Sequence, residues 1–100
     1  MGSTWGQFTA TTAPQQMVPG NLSRQAILLK AFKTNTDRCF LLFFSSNTVL
    51  SASNGMPIEP GESIMIATDY ANQRCADLGG PISVLANSAT QVIAWVDFSF

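Results

Sequence analysis

Residues 53 to 63, SNGMPIEPGES, hold two turn signals close together. Asn54-Gly55 favours positive φ, and Pro60-Gly61 suits the central pair of a type II turn. Pro57 and Pro60 fix φ near about −65° and have no N–H group to donate to a strand ladder. The stretch therefore predicts a rigid corner that joins the two halves of a small β-domain.

The whole chain is apolar and carries few charges. Of its 100 residues, 46% are hydrophobic and 11% are charged, against about 25% charged in an average soluble protein. The net charge of −1 opposes self-association only weakly and offers phosphate groups no attractive field. We therefore expect one domain that works inside an assembly, and no nucleic-acid partner.

No stretch is long enough to span a membrane, because the longest apolar run is Cys39 to Phe44 and a span needs about 20 residues. The N-terminus lacks the basic and apolar regions of a secretory signal. We expect synthesis in the cytoplasm and no membrane partner. Two free thiols, Cys39 in the core and Cys75 in a loop, then fit better than the alternative of a disulfide.

The N-terminal region, residues 1 to 23, is rich in Thr, Gln, Gly and Pro and has only scattered apolar anchors. It predicts an extended arm, part of which could pair as a strand, ahead of a β-sandwich domain at residues 24 to 100. A disordered terminus is the alternative. The large aromatic anchors Trp5 and Phe8 favour docking of the arm on this chain or on a neighbour.

The segment from Arg24 to Lys33 alternates imperfectly, and its Ala, Leu and Lys residues make a helix the competing interpretation. The polar turn Thr34 to Asp37 and the aromatic run after it favour an antiparallel hairpin with Arg38 to Phe44. The continuous apolar run within that second strand predicts that both of its faces are covered.

Four more strands follow from the alternation of apolar and polar residues; they are Thr48 to Ala52 at an edge, Glu62 to Ala67, Ile82 to Ala86 and Gln91 to Phe100. Ile64 and Ile66 should share the buried face of their strand. In the last strand, the expected core face consists of Val92, Ala94, Val96, Phe98 and Phe100. Trp95 lies on the opposite face, as a satellite packing site or an exposed anchor. The fold class is all-β, a small antiparallel β-sandwich of the jelly-roll-like or Ig-like type.

The longest polar insertion, residues 68 to 80, is of a length that often carries function. Tyr70 and Arg74 are its expected contact residues, since both types are enriched at interfaces. The candidate partner-binding residues are Trp5, Phe8, Met17, Tyr70, Arg74 and Trp95.

Recognisable active-site chemistry is missing from the sequence. The chain has no histidine, so histidine-based catalytic arrangements and the common zinc sites are not expected. Glu59 and Glu62 flank the Pro60-Gly61 turn, but carboxylates in a turn are usually solvated. Asp69 and Asp77 lack calcium-loop spacing. We expect a protein that is not an enzyme and has no catalytic, metal or cofactor site.

The order of these elements resembles the small β-sandwich accessory proteins encoded among the virion genes of tailed bacteriophages. The matching segments are Arg24 to Leu29, Phe40 to Phe44, Asn54 to Ser63, Pro81 to Ala86 and Gln91 to Val96. The resemblance implies a virion structural protein made in the host cytoplasm, such as a capsid cement or decoration protein. The loop at 68 to 80 and the apolar arm depart from the pattern and leave the position in the virion open.

A cement protein that binds major capsid protein surfaces through its arm and loops, as a dimer or trimer, is the preferred function. A tail, neck or fibre component is the alternative. If it bound a receptor or glycan, Trp95, Tyr70 and Arg74 should meet in a concave site. A hydrolase would need an enclosed pocket around Glu59 or Glu62.

Overall fold

A computed structural model describes residues 2–21, 24–44, 49–67 and 79–99. Within these ranges the secondary structure consists of strands, with no helix. The strands are β1 (Gly2–Ala10), β2 (Gln15–Val18), β3 (Arg24–Ala31), β4 (Cys39–Phe43), β5 (Met56–Ile58), β6 (Ser63–Ala67), β7 (Ile82–Ala86) and β8 (Gln91–Ser99). The all-β class expected from the sequence is therefore confirmed, and so is the strand at Arg24–Ala31, where a helix competed.

Two antiparallel four-stranded sheets pack face to face. Sheet A has the order β1-β8-β3-β6, and sheet B has the order β2-β7-β4-β5. The first strand thus pairs with the last, the second with the seventh, the third with the sixth and the fourth with the fifth. This is one long folded hairpin wrapped into two sheets, which is the jelly-roll topology. It decides between the two sandwich types that the sequence left open.

The predicted corner carries the chain from β5 in sheet B to β6 in sheet A. The backbone N–H of Glu62 donates to the carbonyl oxygen of Glu59 at 3.0 Å, and Gly61 has φ = 84°. Pro60 and Gly61 therefore form the expected type II turn, in which the third residue needs positive φ. The corner joins the two halves as predicted.

The other glycine of the corner, Gly55, has a different role from the one expected, because positive φ among the described glycines occurs at Gly61. A Cβ atom on Gly55 would lie 2.7 Å from Leu50 Cδ1 and 2.7 Å from Phe40 Cβ. Gly55 is thus needed for close packing against the outer face of sheet B. The described residues 49–52 form no strand, and Met56–Ile58 is the edge strand in place of the one expected at Thr48 to Ala52.

The core lies between the two sheets and includes buried residues of β1, β2, β3, β4, β5, β7 and β8. Ile64 and Ile66 pack against it as predicted. The predicted core face of β8 is wrong, because Ile93 and Asp97 are buried while Phe98 is 37% exposed. Polar partners inside the protein satisfy Asp97 and Gln91, so the face with more polar residues turns inward.

The predicted boundary at residue 23 is also wrong. The region is extended as expected, but β1 pairs with β8 along its whole length and β2 pairs with β7. Ala10, Met17 and Val18 belong to the core. The described part of residues 1 to 23 therefore forms two strands of the sandwich and is not an arm separate from it.

The hairpin expected between β3 and β4 does not form, because the two strands lie in different sheets. The loop between them binds the start of β8. The Asn35 side chain donates to the carbonyl oxygen of Val92 at 2.9 Å and accepts the Val92 N–H at 2.8 Å, and Gln91 Oε1 accepts the N–H of Thr36 at 2.9 Å. These polar residues anchor a crossover between sheets, whereas the sequence suggested a tight turn.

Candidate assembly surface

The outer face of sheet A is apolar across all four strands. The strand registers place Trp5 opposite Val96, Val96 opposite Leu28, and Leu28 opposite Met65. Neighbouring side chains in a strand point to opposite faces. Because Ile93, Ile27 and Ile64 point inward, this row points away from the core. Trp5 is 74% exposed and Met65 is 59% exposed.

Two further rows flank this central row. One consists of Ser3, Phe98, Ala26 and Ala67, and the other consists of Gln7, Ala94, Lys30 and Ser63. Lys30 is the one charged side chain among the twelve residues of the three rows. The solvent face of an antiparallel sheet is usually polar, so a face of this composition indicates an interaction surface.

The four sheet edges differ in their protection against pairing with another chain. Edge strands are normally kept short, charged, bulged or interrupted by proline. β5 has three residues including Pro57, β2 has a register shift between Gln16 and Val18, and β6 has five residues. β1 has nine residues with no charge, proline or bulge, and no strand of the described ranges pairs with its outer edge. β1 is thus the edge most open to a partner.

The structure separates the predicted partner-binding residues. Trp5 is exposed on β1, whereas Phe8 and Trp95 are partly buried against the core and Met17 is buried within it. Trp95 lies against Gly6, where a Cβ atom would come within 3.1 Å of Trp95 Cζ2. Trp95 is therefore a packing residue, and Met17 is not available on the surface of the protomer. Tyr70 and Arg74 lie outside the described residues.

Met65, Phe98, Val96 and Leu28 belong to the exposed face but were not among the candidates. The sequence placed Phe98 and Val96 in the core because both faces of β8 carry large apolar residues. The charge of Asp97 was the misleading feature, since a carboxylate is normally expected on the solvent side. The signal available in the sequence was Arg24, a cation at the start of a strand that could pair with Asp97.

Arg24 and Asp97 form a buried ion pair. Arg24 Nε lies 3.0 Å from Asp97 Oδ1, and the two side chains are 0% and 5% exposed. The remaining guanidinium nitrogens donate to the carbonyl oxygens of Gly80 at 2.7 Å and Pro19 at 2.9 Å. The pair joins β3 and β8 to the segments that precede β3 and β7. Its full set of partners indicates a structural role.

Glu59 and Glu62 do not form an enclosed carboxylate pair. The Glu59 N–H donates to Glu62 Oε1 at 2.7 Å, and Glu59 Oε2 lies 3.0 Å from Arg38 Nε. The Arg38 and Glu59 side chains are each about half exposed. These residues close the corner at the surface. No group of three potential metal ligands occurs among the described residues, and none of those residues belongs to a helix able to cross a membrane.

Cys39 is a buried free thiol, as the sequence predicted. Burial in the apolar core, with a smaller contribution from the nearby charge of Asp37, raises the pKa of Cys39 to about 11. A thiol attacks as the thiolate, so this position is chemically inert at neutral pH.

Comparison with known proteins identifies similarity in fold. No protein-family model matches the chain, and no curated protein matches it. A solved structure described as "Bacillus endospore appendages form a novel family of disulfide-linked pili" is similar, with a TM-score of 0.57 and 14% sequence identity. The match covers 99% of this chain and 86% of the other. At this identity the likeness concerns the fold, a β-sandwich also used by a pilus protein.

Proposed function

We propose that this chain is a non-enzymatic structural subunit, and more specifically a capsid cement or decoration protein of a tailed-phage virion. The observation that carries the proposal is the outer edge of β1. Its nine residues expose backbone donors and acceptors without any of the usual protective devices, and Trp5 stands beside them. A protein that remains alone in solution has reason to protect such an edge, whereas a subunit of an assembly uses it.

The mode of attachment follows from this edge. A strand of a capsid protein can extend sheet A by pairing with β1, which supplies main-chain hydrogen bonds, while Trp5 supplies buried area. The absence of charged residues between positions 1 and 23 lowers the cost of removing this region from water. The partner-binding role proposed for the N-terminal region thus passes to β1 and Trp5.

The similarity to a pilus protein supports the coarser part of the proposal, a subunit that assembles with other chains. The neighbour's description names disulfide-linked pili, and a linkage of that kind through Cys39 would require its buried thiol to become exposed. Cys39 is therefore not suited to such a linkage, and Cys75 lies outside the described residues.

The alternative of a receptor- or glycan-binding module on a fibre has less support. It needs Trp95 exposed as a stacking platform, and Trp95 is instead packed against Gly6 and the core. A tail or neck location remains compatible with the β1 edge and differs from capsid cement in the number of copies per particle.

The test is to purify the virions whose genome encodes the chain and to measure its copy number by quantitative mass spectrometry. Several hundred copies that survive washing are expected for a cement protein. A dozen or fewer would move the subunit to the tail or neck, and absence from particles would contradict a virion role. Deletion of residues 1 to 20 is unsuitable as a probe, since it would remove β1 and β2 from the sandwich.

The matched variants for attachment are Trp5→Ser and Val49→Ser. Both replace an exposed apolar residue, but Val49 lies on the segment beside sheet B, away from β1. We expect Trp5→Ser to lower occupancy on stripped particles and Val49→Ser to leave it unchanged. Equal occupancy for wild type and Trp5→Ser would contradict attachment through β1.

A further inference from the structure

We infer that the outer face of sheet A binds the same face of a second copy of this chain, with Trp5 of each copy against Met65 of the other. This inference rests on the coarser part of the proposed function, that of a structural subunit that assembles with other chains. It does not depend on attachment to capsids, because it concerns the pairing of two free subunits.

The size of the face suits such a pair. Four strands about 4.8 Å apart and three rows about 7 Å apart give roughly 400 Å² in projection. Because side chains such as Trp5 and Met65 protrude from the sheet, the solvent-accessible area of the face is larger than this projected area. Two copies together therefore approach the roughly 1,000 Å² at which specific interfaces begin. An apolar patch of a few hundred Å² on one protomer often has a function.

The central row is suited to a second copy because its two most exposed side chains, Trp5 and Met65, lie at opposite ends. Across the sheet the row reads Trp5, Val96, Leu28, Met65. A two-fold axis parallel to the strands reverses this order in the opposing copy. It sets Trp5 against Met65 and Val96 against Leu28, and each contact occurs twice, as an isologous interface requires. Methionine sulfur against an aromatic ring is itself a favourable contact.

The face carries little charge. Its one charged residue, Lys30, lies in a flanking row, next to Ser63 on β6. Glu62 precedes Ser63, but its carboxylate accepts the Glu59 N–H within the corner. A face with one cation at its rim and an apolar centre has no strong charge that a partner would have to complement. The same two-fold axis sets Lys30 of each copy against Ala94 of the other, so the two neighbouring ammonium groups extend to solvent at the rim of the interface.

The test measures dimerisation by sedimentation equilibrium over about 1 to 500 µM protein, without capsids. Wild type should form a dimer, and Trp5→Glu and Met65→Lys should each weaken it at least tenfold. Val49→Lys is the matched control, since Val49 is 76% exposed but lies outside sheet A. A wild type that stays monomeric throughout, or a control that weakens the dimer equally, would overturn the inference.

The mutual contact is tested by mixing the Trp5→Glu and Met65→Lys variants. In a mixed dimer the introduced carboxylate of one variant would face the introduced ammonium group of the other at one contact, while the second contact keeps its native Trp5 and Met65 pair. The mixture should therefore dimerise more tightly than either variant alone, and no gain on mixing would overturn the proposed pairing.

Met65 also separates this interface from edge pairing, because β6 lies at the far side of sheet A from β1. A partner strand added to the outer edge of β1 would not reach Met65, so Met65→Lys should leave edge pairing intact. Circular dichroism of each variant confirms that the sandwich is intact. A dimer that tolerates Met65→Lys would overturn the face-to-face arrangement.

Discussion

The outer faces of the two sheets are both rich in apolar residues, but within the described ranges a loop covers the face of sheet B and none covers that of sheet A. On sheet B, Leu50 packs over Phe40 and is 3% exposed, and Gly55 allows the close approach. On sheet A, Met65 and Trp5 are mostly exposed. An apolar outward face is thus buried where a loop returns over it and stays exposed where no described loop does.

The largest effect is expected at Asp97, which shares β8 with the open face but points inward. Asp97→Asn leaves the buried Arg24 cation without its counter-charge, and we expect a loss of about 3 to 5 kcal/mol in unfolding free energy. Urea denaturation measures it. Met65→Ser, on the open face and 59% exposed, is the control. A loss below about 1 kcal/mol for Asp97→Asn would show that the pair is not buried as described.

The cover of sheet B is tested at adjacent positions with opposite exposure. Leu50→Ala removes a buried side chain and should cost about 2 to 4 kcal/mol. Val49→Ala, at a residue that is 76% exposed, should change stability by less than about 0.5 kcal/mol. Both values come from chemical denaturation. Similar losses at the two positions would mean that the segment does not pack over sheet B in the way described.

Cys39 lies in the core between the two sheets, and it tests this core through the pH dependence of the unfolding free energy. Its pKa is raised from 9.0 to about 11 in the folded protein. Unfolded chains lose this proton above pH 9 while folded ones keep it, so the contribution to stability is complete below pH 9 and is lost between pH 9 and about 11. The loss should reach about 2 to 3 kcal/mol. Cys39→Ala should lack this component, and an identical alkaline decline in that variant would contradict it.

The smallest stability effect is expected on the open face. Met65→Ser should change the unfolding free energy by less than about 0.5 kcal/mol, because its side chain is mostly exposed in the protomer. Thermal unfolding at low protein concentration measures this value. A loss comparable to that of Leu50→Ala would remove the contrast between the two faces, since it would show that Met65 is already packed within one copy.

Local residue chemistry predicted much of the fold. Ile82–Ala86 forms a strand with the bounds expected, Pro60-Gly61 forms its type II turn, and Cys39 is buried. Such features depend on a few neighbouring residues. The pairing of β3 with β6 and β8 could not be read in the same way, because it depends on residues far apart in the chain. Because β3 and β4 follow one another in the sequence, a hairpin between them was expected. The chain instead crosses from sheet A to sheet B between these two strands.

The candidate surface was harder to predict than the fold. Trp5 was recognised because a tryptophan in a polar region is unusual, but Met65 and Phe98 look like ordinary strand residues. Only the register shows that Met65 and Trp5 end the same row. Met17 was expected at a binding surface, but it is buried in the core. Its position depends on the pairing of β2 with β7, which the sequence does not reveal.

The amino-acid sequence by itself determined an all-β domain with few charges, a rigid corner within residues 53 to 63 and a reduced core thiol, because these follow from composition and local backbone preference. Only the tertiary structure decided the jelly-roll order, the inward face of β8 and the state of the two outer faces. Those properties depend on which distant groups meet: Arg24 allows Asp97 to be buried, and Leu50 covers Phe40. On sheet A no described segment plays that covering role, and the apolar row from Trp5 to Met65 remains at the surface.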